Sequence, residues 1–231
     1  MNDSFEYYYN NVPGKGLCRN NLIYTSLINR SKTLFCQHYY NDTDYHKGHN
    51  QVVNPKLMDE KWLREVNYLT QMRNKFPELV PEITNINLES KQIVMKIQGV
   101  DFWQQTLDNN CSYDEILPDW REQMLNIFRA HRELGIYKYS LHPSSYFVID
   151  GKLKSINYFF SYSDTDVPIS LRSVMSHISE DRQADLFPKM SAMGIDIDSP
   201  TAYHRIQQLA FESFKTDFPH DFMDEAKRVY D

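Results

Sequence analysis

The stretch Gly135–Ser161, GIYKYSLHPSSYFVIDGKLKSINYFFS, constrains the fold of this chain most tightly. Tyr146 and Val148 stand on one side of Asp150-Gly151, and Leu153, Ile156 and Tyr158 on the other. Apolar residues alternating around an Asp-Gly pair predict a β-hairpin, because that pair accepts the positive φ angles of a two-residue turn. A short loop carrying Leu141-His142-Pro143 runs directly into the first strand.

Elsewhere the chain alternates strand and helix signals. Leu22–Ile28 and Thr33–Tyr40 read as strands joined by the turn Asn29-Arg30-Ser31-Lys32. Pro55 opens a helix to about Lys75, with Leu57, Trp62, Val66, Leu69 and Met72 at helical spacing. Glu82–Leu88 and Gln92–Ile97 read as strands, and Phe102–Leu107 as a short helix. Pro118 starts a longer helix through Leu134, which Gly135 ends. After the hairpin, Leu171–Ile178, Arg182–Met193, Pro200–Phe214 and Phe222–Tyr230 read as helices. The first twenty residues read as irregular, and no repeat stands out. Strands gathered early and helices late predict an α+β fold. Its small N-terminal sheet lobe, with one helix, would span residues 1–100. A mainly helical C-terminal lobe with the embedded hairpin would span 101–231, and the two would join near Gln98–Phe102.

Composition bounds the function classes. The 231 residues suffice for one domain or one two-lobed unit. A net charge of -6 without a basic block argues against nucleic-acid binding, which needs clustered Lys and Arg against phosphates. The absence of a long apolar run argues against a membrane span. The start, MNDSFEYYYNN, is no secretory signal. Cys18, Cys36 and Cys111 share no metal-ligand spacing and read as reduced thiols of a cytoplasmic protein. Only 7 Gly against 16 Tyr fits an AT-rich coding genome, as in many viruses and phages; the compartment would then be a host cytoplasm.

Several pieces, in order, resemble the protein-kinase-like superfamily in its aminoglycoside and choline phosphotransferase branch. There a loop of the form H-G-D-L-H-P-x-N precedes a hairpin ending in I-D-F/W, and Leu141-His142-Pro143 with its hairpin is similar to that frame. Asn20-Asn21-Leu22-Ile23-Tyr24 looks like the family's first strand, and Leu34-Phe35-Cys36-Gln37 like the strand ending in the phosphate-binding Lys. Glu65 sits where the family keeps the Glu that pairs with that Lys. Ile93–Gly99 looks like the edge strand and hinge, and His131–Ile136 like the helix end before the catalytic loop.

The frame is present and the chemistry is missing. The resemblance sets Gln37 in place of the Lys, Ser140 in place of the catalytic Asp, Ser145 in place of the metal-binding Asn, and Asn157 in place of the second metal-binding Asp. Phosphoryl transfer depends on neutralising charge and aligning a hydroxyl. Mg²⁺ prefers anionic oxygen, and a serine is no base near neutral pH. The resemblance therefore implies a pseudokinase with no catalytic residue, metal or cofactor, weak ATP and magnesium binding being the exception to test. A residual cleft would be lined by Gln37, Glu65, Met95, Ile97 and His142, with room for a small molecule.

Three function classes follow. The first is a protein-binding or regulatory module acting on a protein partner. The second is a divergent ATP-dependent phosphotransferase or nucleotidyltransferase, recruiting carboxylates from among Glu65, Asp150, Asp164 and Asp166. The third is a structural component of a larger assembly. Asp42, Asp44, His46 and His49 share a polar loop whose spacing matches no closed metal site, so it reads as solvated. Cys36 and His38, neighbours on one strand face, read as a buried thiol and its neighbour rather than a nucleophile pair. Asp164 and Asp166 read as a polar turn, and His142 as an architectural residue bonded to backbone. Phe5 with Tyr7-Tyr8-Tyr9 would anchor a partner or pack on its own lobe.

Overall fold

A computed structural model describes the backbone of residues 5–8, 21–26, 33–39, 55–88, 92–97, 101–166, 170–172, 180–200 and 204–230. Side chains are described within 62–88, 93–97, 101–166, 170–172, 183–200 and 204–230. The architecture is mixed α and β, with small antiparallel sheets.

Five strands form the largest sheet: β1 (Phe5–Tyr8), β2 (Asn21–Ser26), β3 (Thr33–Tyr39), β4 (Ile83–Asn87) and β5 (Gln92–Ile97). They lie in the order β1-β2-β3-β5-β4, every neighbour antiparallel. The N-terminal segment is thus not wholly irregular: Phe5–Tyr8 pairs along β2, Tyr7 opposite Tyr24. An aromatic run suits a pleated surface, and its polar flanks hid that signal. The long helix α1 (Pro55–Lys75) connects β3 to β4. Proline suits its first position, where a missing N–H costs nothing. Trp62, Leu69 and Met72 are buried along one stripe, and so is Glu65.

The remainder is mostly helical. Helix α2 (Phe102–Asn109) is capped by Asp101, whose Oδ1 accepts from Gln104 N at 2.9 Å. A further single turn, α3 (Tyr113–Ile116), is opened by Ser112, whose backbone N–H donates to Glu115 at 2.7 Å. Helix α4 (Trp120–Glu133) ends at Gly135, whose φ of +65° is the left-handed geometry expected of its terminating residue. Trp120 is fully buried among Phe102, Tyr113, Phe218 and Phe222, and its Nε1 donates to Asp114 at 3.0 Å.

The hairpin forms where the sequence places it. Strand β7 (Tyr146–Ile149) pairs with β8 (Lys152–Ser155), Val148 opposite Leu153, and Asp150 and Gly151 turn with φ of 51° and 71°. A second two-stranded sheet brackets it. Strand β6 (Ile136–Lys138) pairs with β9 (Ser161–Ser163), Tyr137 opposite Tyr162. Helices α5 (Glu180–Ala192), α6 (His204–Phe214) and α7 (His220–Arg228) complete the described chain. Of the predicted helix Leu171–Ile178, only its first two residues fall within the described chain, and both are helical. Among the described residues no helix is long and apolar enough to cross a membrane.

Candidate functional site

The pairing of β6 with β9 holds the two ends of the Tyr139–Phe160 segment together, so the loop before the hairpin and the residues after it meet. Tyr139 N donates to Phe160 O at 2.9 Å and Ile156 N to Ser145 O at 2.9 Å. Through these bonds the fold brings Ser145 and Asn157 together; Ser140, Ser145 and Asn157 lie at 1%, 2% and 4% exposure. Asn157 Nδ2 donates to Ser145 Oγ at 3.2 Å. Ser140 Oγ is buried and has no hydrogen-bond partner among the described residues. Its carbonyl is engaged, accepting from Lys138 Nζ.

His142 is buried as well. Its Nδ1 accepts from Ser144 N at 3.1 Å and lies 2.8 Å from Ser144 Oγ. That self-contained turn starts the one-turn helix Pro143–Ser145. The ring also meets Trp103 edge-on at 5.2 Å. His142 thus bonds local backbone through Nδ1.

Sequence inspection did not reveal the polar cluster beneath this loop. Lys138 is completely buried, with its ammonium 5.3 Å from the Tyr158 ring centre and 5.5 Å from that of Tyr146. His131 Nε2 lies 3.0 Å from Tyr158 Oη. Burial, and then the charge of Lys138, push the His131 imidazole well below its ordinary pKa, so it is neutral at physiological pH. Burial holds Tyr158 protonated, and the nearby charge of Glu65 acts in the same direction. Glu65 thus reaches the same interior from α1. A lysine in a loop reads as solvent-facing, and only the β6–β9 pairing turns this one inward.

The other sequence candidates divide by position. Glu65, Met95 and Ile97 are buried. The β3–β5 ladder pairs Gln37 with Ile93, but the side chains of Gln37, Cys36 and His38 lie outside the described residues. So does the whole loop holding Asp42, Asp44, His46 and His49. Asp166 accepts from Ser163 N at 2.8 Å and from Tyr68 Oη, and Asp164 accepts from Tyr137 Oη at 3.0 Å. These two carboxylates fasten a polar turn. Among the described residues no group of three or more His, Cys, Asp or Glu is placed to hold a metal ion.

No protein-family model matches the chain, and no curated protein matches it.

Proposed function

We propose that this chain is a degenerate, two-lobed relative of the kinase-like phosphotransferases that acts as a protein-binding or regulatory module. An antiparallel sheet interrupted by one long helix, followed by helices with an embedded hairpin, agrees with that reading. So does the junction expected near residue 100, where the last strand of the large sheet gives way to α2.

The observation that carries the proposal is the contact between Asn157 and Ser145. In the resembled enzymes these two positions hold magnesium. Here a neutral amide bonds a neutral hydroxyl at 3.2 Å, both buried, and the Ser140 hydroxyl of the same segment is buried too. A divalent cation would have to break that bond and accept neutral ligands in return. Ser140 Oγ has no hydrogen-bonded base among the described residues to activate it, and His142 Nδ1 in the same loop is engaged with Ser144. With metal handling lost, recognition by the surface remains as the function.

Thermal unfolding with and without ATP and Mg²⁺ or Mn²⁺ tests this. A ligand bound only to the native state at a hundredfold excess over Kd adds about 2.7 kcal/mol. No shift is expected at millimolar nucleotide for the wild-type chain. The combined variant Gln37→Lys, Ser140→Asp, Ser145→Asn and Asn157→Asp should gain a metal-dependent shift. A metal-dependent shift in the unaltered chain would overturn the proposal in favour of a divergent transferase.

A further inference from the structure

A cavity of about 620 Å³ lies where the end of α1, strands β4 and β5 and the β7–β8 hairpin meet. That volume falls within the range of binding clefts. The hairpin register sets Ile149 opposite Lys152 and Phe147 opposite Lys154. Both lysines therefore stand on one face of β8, and the buried Leu153 between them points to the other. Ile149 and Pro77 add apolar wall to the cavity.

The lining is basic although the chain carries a net charge of -6. Arg73, Lys96, Lys152 and Lys154 line it, with the carboxylates Glu82 and Asp150. Lys96 and Glu82 cancel as an ion pair at 2.5 Å. Arg73 and Lys152 are exposed, and neither bonds or ion-pairs with another described residue. Lys154 is half-buried and gives one of its three donors to Glu78 O. Three cations thus stand against Asp150.

Two of those cations crowd each other. Burial lowers the Lys154 pKa, and the like charge of Lys152 acts in the same direction against the pull of Glu78 and Asp150. An arriving carboxylate would offset both the burial and the repulsion. A nucleic-acid backbone is disfavoured, because three cations from separate elements form no continuous stripe and the chain as a whole is negative.

We propose that this cavity docks an acidic segment of a partner protein, an extended stretch in which carboxylates flank one apolar side chain. The carboxylates pair with Arg73, Lys152 and the remaining donors of Lys154, and the apolar side chain packs on Ile149 and Pro77. The inference rests on the reading of this chain as a protein-binding module and supplies the partner's chemistry.

The test is fluorescence anisotropy of the fluorescein-labelled peptide EELEE titrated with the full chain, beside its neutral counterpart QQLQQ. Saturable one-site binding of EELEE is expected, weakened by added salt, with QQLQQ bound at least about tenfold more weakly. Arg73→Glu and Lys152→Glu alter exposed side chains without bonds to lose, so both variants should keep the wild-type melting temperature. Each should weaken EELEE by about tenfold, whereas Lys152→Arg should retain it. No saturable binding of EELEE, equal binding of QQLQQ, or unchanged affinity in both folded glutamate variants would overturn the proposal. Displacement of EELEE by an equal concentration of inorganic phosphate would overturn it too, in favour of a simple anion pocket. The thermal-shift test with nucleotide contains no peptide. A failure here without a metal-dependent nucleotide shift therefore removes this surface alone, and such a shift removes the module reading itself.

Discussion

Asn157 Nδ2 donates to Ser145 Oγ at 3.2 Å, joining the residue just past the hairpin to the residue that opens it. The backbone bond from Ile156 N to Ser145 O lies beside it at 2.9 Å. Together they close the open end of the hairpin, opposite its Asp-Gly turn. Asn157 is also one of the described non-glycine residues at positive φ, 64°. Asparagine tolerates that region better than most side chains. One side chain therefore meets a backbone demand and a bonding demand together.

Substitution separates those two demands. Asn157→Gly loses the side-chain bond but keeps the backbone comfortable, and should cost about 1 kcal/mol. Asn157→Ala loses the bond and puts a β-carbon in the left-handed region, and should cost about 2–3 kcal/mol. Urea unfolding measures both. The ranking alanine worse than glycine is the reverse of that in a helix interior. Equal costs would show that the left-handed backbone is not retained.

A second tie runs from α1 to the segment after β9. Tyr68, 1% exposed, donates its hydroxyl to Asp166, which also accepts from Ser163 N at 2.8 Å. Arg64 lies over the Tyr162 ring at 4.7 Å one turn earlier on the same helix. A hydrogen bond to a charged acceptor in a partly buried place contributes more than a neutral one. A double-mutant cycle of Tyr68→Phe and Asp166→Asn should give a coupling of about 1–2 kcal/mol. A coupling near zero would mean that the two side chains are solvated separately and that α1 is not fastened there.

The legible parts of the fold were those with a local physical cause. Asp150-Gly151 and Gly135 declare positive φ by residue type, and the hairpin and the end of α4 follow. The Trp62, Leu69 and Met72 stripe declares its period. Strands β6 and β9 have three residues each and pair across more than twenty others, so neither shows a period of its own. The turn α3 was missed although Ser112 and Glu115 carried its capping signal. At the site, only a resemblance singles out Ser145 and Asn157 in the sequence, and it does not state their contact, which the structure shows. Lys138, His131 and Tyr158 were not legible, because their encounter depends on long-range pairing.

The buried His131 makes stability depend on pH in a direction that can be worked out. In the folded chain its pKa lies well below 6.5, from burial first and Lys138 second, whereas the unfolded chain protonates it near 6.5. Below that pH the unfolded state binds a proton that the native state refuses. Stability is therefore full above the unfolded pKa. It falls as pH drops below it, by up to about 1.4 kcal/mol per pH unit, until the folded pKa is reached. His131→Gln can keep a hydrogen bond to Tyr158 and removes the titration. The variant should therefore lose less stability than the wild-type chain between about pH 8 and about pH 5, the difference accumulating only below the unfolded pKa. Lys138→Met removes the neighbouring charge, raises the folded pKa of His131 and narrows the window from its acid end. Denaturant unfolding across that range checks all three chains. A wild-type-to-glutamine difference that does not change with pH would mean that His131 is not held neutral in the folded state.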